Sequence, residues 1–97
     1  MAAEALTARG IPVDIYDAMP SVGRKFLMAG KSGLNISHAE DADVFLSRYR
    51  GDARLAEMVK AFGPHEITEW MNGLGIPAHT GPTGRVFPEM MTASPLL

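Results

Sequence analysis

The sequence predicts an α/β domain whose first part follows the order helix, glycine, strand, acidic residue. Residues 1–9 are strong helix formers, Gly10 stands where a helix commonly ends, and residues 11–16 are rich in Ile, Val and Tyr. Asp17 follows that apolar run. This order is typical of the second half of a βαβ unit that binds a dinucleotide, where an acid after the second strand accepts hydrogen bonds from a ribose. The predicted fold class is therefore a partial Rossmann-type α/β domain.

Two features at the ends of the chain predict that residues 1–97 are a fragment of such a domain, truncated at both ends. No capping residue precedes the first helix, and the glycine-rich turn Gly-x-Gly-x-x-Gly is absent. Ser94 and Pro95 have the form of a helix N-cap and first helical residue, with little sequence after them. The local pattern leaves Asp17 two interpretations, because an aspartate after a strand is also a common turn residue.

A glycine-rich stretch between Ser21 and Ser37 predicts a long loop that faces a ligand, with a short helical turn near Phe26–Met28. Arg24 and Lys25 could neutralise a pyrophosphate there, although a solvated basic turn is an equal alternative. The run Gly30–Ser32 ends like a phosphate-binding loop. That motif would require glycine at the position of Lys25, so we exclude it.

The rest of the chain predicts three helices and a short two-stranded element. Ser37 and Glu40 match a capping box, and a short helix is expected over residues 44–50. Two further helices carry apolar residues at helical spacing, which we expect to face a shared interior: Leu55, Met58, Val59 and Phe62 in the first, and Ile67, Trp70, Met71 and Leu74 in the second. Residues 76–78 and 85–88 flank a Gly-Pro-Thr-Gly turn and predict the two strands.

Composition excludes several classes of function. The chain has no cysteine, which excludes disulfides and thiolate chemistry and fits a cytoplasmic location. Its formal net charge of −2 makes nucleic acid an unexpected partner, and no apolar run is long enough to predict a membrane span. His65 and Glu66 look like part of a zinc site, but Glu69 stands where the second histidine is needed, so no metal site is expected.

Two motifs resemble those of the aminoacetone-oxidase-like (BaiN-like) NAD(P)/FAD-dependent flavoproteins. The first is Gly23–Asn35, and the second is Gly84–Pro88 followed by Ala93–Ser94. The resemblance covers the whole chain and implies a glutathione-reductase-like FAD domain. It places Asp17 toward the adenosine ribose and Arg24–Asn35 along the FAD. The implied cofactor-binding residues are Asp17, Gly23, Arg24, Lys25, Gly30, Lys31, Ser32, Gly33 and Asn35.

The loop departs from the pattern of many relatives, which read Gly-Gly-Gly-Arg-Cys-Asn where this chain has Lys31–Leu34 before Asn35. Roles of the relatives' Arg and Cys therefore do not transfer. The resemblance implies a flavin-dependent oxidoreductase that acts on a small-molecule substrate, with NAD(P)H as a possible electron donor. We expect this chain by itself to be inactive. The alternative hypothesis is a small non-catalytic α/β binding or interaction module.

Overall fold

The computed structural model describes residues 1–30 and 33–97, which form five helices, a small antiparallel sheet and a final 3₁₀ turn. The helices are α1 (Ala2–Thr7), α2 (Arg24–Leu27), α3 (Ala42–Ser47), α4 (Ala53–Ala61) and α5 (Pro64–Gly73). The strands are β1 (Ser37–His38), β2 (Ala78–Thr80) and β3 (Arg85–Pro88), and the 3₁₀ turn is Ser94–Leu96. None of the described helices is both long and apolar enough to span a membrane.

Helix α1 ends at a glycine, as the sequence predicts. Gly10 has a φ of +74° and its N–H donates to the Thr7 carbonyl, while the Ile11 N–H donates to the Leu6 carbonyl at 3.1 Å. This pair of bonds satisfies two carbonyls of the last turn, and the left-handed backbone favours glycine at this position. The indole N–H of Trp70 donates to the Glu4 carboxylate at 2.9 Å, which joins α1 to α5.

The strand predicted over residues 11–17 is wrong for the described chain. A strand requires backbone hydrogen bonds to a neighbour, and no described segment forms them with residues 12–17. Ile15 and Tyr16 are 68% and 91% exposed, so neither is packed against the rest of the chain. The segment therefore has the composition of a strand, but no neighbouring strand pairs with it among the described residues.

Side-chain caps determine where α3 and α4 begin. The Asp41 carboxylate accepts a hydrogen bond from the Asp43 N–H at 2.9 Å, and the Asp52 carboxylate accepts one from the Arg54 N–H at 2.7 Å. The capping box predicted at Ser37 and Glu40 is therefore wrong, because Ser37 lies in β1 and α3 begins after Asp41.

Proline and glycine mark the ends of α5. Pro64 occupies the first helical position, and the Glu66 carboxylate accepts a hydrogen bond from the Gly63 N–H at 2.9 Å. Gly75 has a φ of +74°, and the next residue, Ile76, donates its N–H to the Met71 carbonyl. These residues define both ends of α5. The carboxylate of Glu66 is thus a helix cap.

The sheet has the order β1, β3, β2, with both pairs antiparallel. Strands β2 and β3 confirm the predicted two-stranded element, but β2 covers Ala78–Thr80 and not residues 76–78. In this pair His79 lies opposite Phe87. Strand β1 adds a third strand, in which Ser37 lies opposite Val86. After β3 the chain reaches the 3₁₀ turn, where Ser94 is the first residue and not the predicted helix cap.

The core lies where α5 packs against β1 and β2. Its buried apolar residues are Leu34, Met71, Ile76, Val86 and Ala93, and the largest fully buried side chains are Met71 and Pro88. The helical spacing predicted for α4 and α5 is confirmed, but the shared interior forms only in part. In α5, Ile67 and Trp70 are half-buried and Leu74 is 46% exposed.

Helix α4 presents most of its apolar side chains to the surface. Leu55, Met58 and Phe62 are 37%, 67% and 39% exposed, and Val59 is half-buried. Within the described residues, the main helical contact of α4 is with α3. The apolar periodicity therefore predicts helix α4 correctly. The described elements do not cover the apolar face of this helix.

Candidate functional site

The glycine-rich loop has a backbone shape that favours glycine. Gly30 has a φ of +65° and Gly33 a φ of +134°, both in the range that side chains rarely adopt. The Gly33 N–H donates to the Gly30 carbonyl at 2.9 Å. A Cβ on Gly30 would lie 2.5 Å from Leu34 Cα, so a larger residue would displace the backbone there. Lys31 and Ser32, both predicted site residues, lie outside the described residues.

Backbone hydrogen bonds attach this loop to β3 and the segment after it. The Leu34 N–H donates to the Met91 carbonyl at 3.0 Å, and the Ile36 N–H donates to the Val86 carbonyl at 2.9 Å. A Cβ on Gly33 would lie 2.7 Å from Met91 Cε, so the two groups are in close apposition. The two sequence motifs that carry the flavoprotein resemblance are thus neighbours in space.

Arg24 and Lys25 are carried by the short helix α2, and both are exposed. Neither forms an ion pair with any acidic group in residues 1–30 and 33–97. Gly23 precedes the helix with a φ of +68°, and a Cβ there would lie 2.5 Å from a methyl group of Leu97. The positive φ of Gly23 therefore favours glycine. In the part of the chain that the structure describes, the two positive charges of Arg24 and Lys25 lie at the surface without an ionic partner.

Helix α2 and the end of the glycine-rich loop border the same apolar cavity of about 440 Å³. Phe26 contributes from α2 and Ile36 from the loop side. The remaining lining residues are Met1, Phe62, Ile67, Trp70, Leu96 and Leu97. The cavity places the basic helix and the glycine-rich loop in one region of the molecule, as the candidate site requires.

Asp17 and Asn35 are both exposed, but their surroundings differ. Asp17 Oδ1 accepts a hydrogen bond from the Met19 N–H at 2.9 Å, which is the turn role that the sequence left open. Asn35 lies between the two loop residues whose N–H groups bind the β3 region. Among the described hydrogen bonds, none connects Asp17 with the loop.

A charged cluster formed by His38, Glu40 and Arg48 was not predicted from the sequence. The Glu40 side chain is 11% exposed and accepts three hydrogen bonds from the Arg48 guanidinium, one of them 2.7 Å long from Nε. His38 Nε2 donates to the Thr83 carbonyl at 3.0 Å, and Nδ1 lies 3.8 Å from Glu40 Oε1. A Cβ on Gly84 would lie 2.7 Å from His38 Cε1.

This cluster links three elements around the loop: β1, α3 and the turn between β2 and β3. Gly84 was the one residue in the sequence that could have indicated this cluster. Its φ of +79° and its contact with the imidazole ring both favour glycine at that position. The Arg48 hydrogen bonds are the largest effect and lower the pKa of the Glu40 carboxyl. Burial opposes them less strongly, and the nearby charge of Arg48 lowers the pKa further.

We expect the stability of this region to fall in acid because of Glu40. A carboxyl whose pKa is lower in the folded than in the unfolded state stabilises the fold above its unfolded pKa, and this contribution is lost as pH falls through the folded pKa. Unfolding midpoints in urea, measured from pH 7 to pH 3, should therefore converge for the wild type and Glu40→Gln as the pH falls. Glu57→Gln, which removes an exposed partner of Lys60, is the control. Parallel curves for wild type and Glu40→Gln would contradict this expectation.

Comparison with known families identifies the class of protein. A family model of a Rossmann-type domain matches the chain over residues 1–97, which confirms the predicted fold class as part of a nucleotide-binding α/β domain. That model describes the HI0933-like protein Rossmann domain, and the chain belongs to this family. A search of curated proteins found no match.

Proposed function

We propose that this domain binds FAD and forms part of a flavin-dependent oxidoreductase that acts on a small-molecule substrate. The observation that carries the proposal is the attachment of the glycine-rich loop to β3, which joins the two resemblance motifs through the bonds from Leu34 and Ile36. Within the family we place the chain with the aminoacetone-oxidase-like (BaiN-like) flavoproteins, because both motifs occur here in the same order.

The residues present suit a dinucleotide. Gly30 and Gly33 have no side chain to hinder a close approach of the backbone, and Asn35 offers an exposed amide. Arg24 and Lys25 supply two positive charges without ionic partners among the described residues, as a pyrophosphate requires. Lys31 and Ser32 complete the proposed loop by their position in the sequence.

Asp17 is the proposed ligand of the adenosine ribose. Its Oδ1 is engaged by the Met19 N–H, while no described hydrogen bond uses Oδ2. The second oxygen therefore suits a ribose hydroxyl, which donates to a carboxylate in this class of site. The hydrogen bond from the Met19 N–H would then orient the Asp17 carboxylate as well as stabilise the turn.

The flavin, when bound, would supply the electron transfer, and the polypeptide would bind and orient it. The loop residues would hold the cofactor in place, and Arg24 and Lys25 would offset the negative charge of its phosphates. NAD(P)H is the proposed electron donor. The proposed roles therefore concern binding and orientation, and they include no proton transfer by a side chain of this chain.

Cofactor identity tests the proposal directly. The intact protein should be yellow when purified, and acid denaturation should release FAD, identified by chromatography against FAD and FMN standards. The apoprotein should rebind FAD with quenching of flavin fluorescence. A protein that retains no flavin and rebinds none would favour the non-catalytic binding module instead. Anaerobic addition of NADH or NADPH should bleach the flavin absorbance if either is the donor.

A further inference from the structure

Met91 has an unusual backbone conformation. Its φ is +59°, and it is the only residue other than glycine with a positive φ among residues 1–30 and 33–97. The Met91 N–H donates to the Pro88 carbonyl at 2.8 Å, so Met91 is the last residue of a four-residue turn after β3. Glycine is the favoured residue at that position of such a turn. A methionine here adopts a strained conformation that glycine would adopt freely.

The Met91 side chain and carbonyl both contact the glycine-rich loop. Its carbonyl accepts the Leu34 N–H, which glycine at position 91 would also allow. Its methyl group covers Gly33, where a Cβ would lie 2.7 Å from Met91 Cε. Phe87 borders the same point, since the Cβ would lie 3.5 Å from Phe87 Cε1. The contact with Gly33 is therefore what the methionine side chain adds over glycine.

We propose that Met91 is a positioning residue for the cofactor loop: its thioether side chain packs against Gly33 and holds the backbone of Gly33 and Leu34 in the shape that binds the cofactor. This inference rests on the proposed FAD function. Strained residues persist where the surrounding contacts require them, and they concentrate at binding sites. A loop held in its bound shape before the ligand arrives binds more tightly, because less ordering remains to be done on binding.

The test is Met91→Gly in the intact protein. This variant keeps the carbonyl that binds Leu34 and removes the backbone strain, so its Tm should stay near that of the wild type. Its Kd for FAD should rise by roughly three- to tenfold, the cost of ordering the released loop. The visible circular dichroism of the bound flavin should also shift toward that of free FAD. Met91→Leu, which keeps an apolar side chain over Gly33, should restore most of the affinity.

Met90→Gly is the matched control, because Met90 lies in the same turn and is 68% exposed. Its FAD affinity and flavin spectrum should equal those of the wild type. An unchanged Kd and spectrum in Met91→Gly would overturn the role of Met91 while leaving the FAD function intact. A wild-type protein that binds no FAD would overturn both. A parallel loss of Tm and affinity in Met91→Gly and Met91→Leu would indicate general packing and overturn the proposal.

A double-mutant cycle measures the contact itself. Gly33→Ala introduces a Cβ close to Met91 Cε, and the backbone strain at position 33 is the same in either background. Gly33→Ala should therefore weaken FAD binding more strongly in the wild type than in Met91→Gly, where the space is free. Equal effects in the two backgrounds would show that the side chain and the loop are not coupled, which contradicts the proposal.

Discussion

Replacing both Arg24 and Lys25 with alanine in the intact protein should weaken FAD binding by about 100-fold or more. Loss of a charge-assisted hydrogen bond to phosphate costs roughly 1.5–3 kcal/mol, and the lower value suits these exposed side chains. Two such losses of about 1.5 kcal/mol each correspond to this change in Kd. Fluorescence titration of the apoprotein with FAD measures the effect. The wild-type affinity should also fall more steeply with salt than that of the double variant.

The control for this double variant is Arg50→Ala with Lys60→Ala, which removes the same two charges elsewhere on the surface. Its FAD affinity should remain close to that of the wild type. If the double variant at Arg24 and Lys25 retains flavin as well as the wild type does, α2 does not lie at the cofactor. An equal loss in both double variants would instead indicate a general effect of net charge.

Met71→Ala should lower the free energy of unfolding by about 2–5 kcal/mol. Met71 lies in α5 with no exposed surface, so truncation removes buried apolar atoms and leaves a cavity beside the small sheet. Few other side chains are buried in this domain, and the cavity has little apolar material available to close it. Urea unfolding of the flavin-free protein, followed by Trp70 fluorescence, measures the change.

Met58→Ala tests whether that loss comes from burial. Met58 is 67% exposed on α4, and its replacement makes the same chemical change on a helix surface. Its effect should stay within about 0.5 kcal/mol. A loss at Met58 as large as that at Met71 would indicate that the apolar face of α4 is covered in the intact protein.

The sequence predicts those elements whose signals are local. Helices α4 and α5 follow from apolar spacing with Gly63 and Pro64 at the start of α5, and the hairpin follows from its glycine and proline turn. Strand β1 was missed because two residues are too few to show alternation. Ser37 also matches a capping motif that is common by chance. Its pairing with Val86 is a long-range contact with no local signature.

For the candidate site, the sequence predicts the residue types and the structure supplies their neighbours. The positive φ of Gly30 and Gly33 agrees with the long loop that the glycine-rich stretch predicts. The contact of Met91 with Gly33 could not be predicted, because a methionine in a left-handed conformation has no sequence signature. The contacts among His38, Glu40 and Arg48 could not be predicted from their spacing either. The imidazole of His38 also contacts Thr83 and Gly84 in the hairpin turn, which is distant in sequence.

The backbone bonds between the loop and β3 determine when the loop can form during synthesis. Leu34 leaves the ribosome long before Met91, whose carbonyl it must bind. At translation rates of about 5–20 residues per second, the interval is roughly 3–11 seconds. The backbone hydrogen bonds within α3, α4 and α5 join residues that are close in sequence, and such bonds form in about a microsecond, well within that time. Ordering of the loop is therefore a late step, and a ribosome that pauses between these motifs would prolong its exposure to proteases.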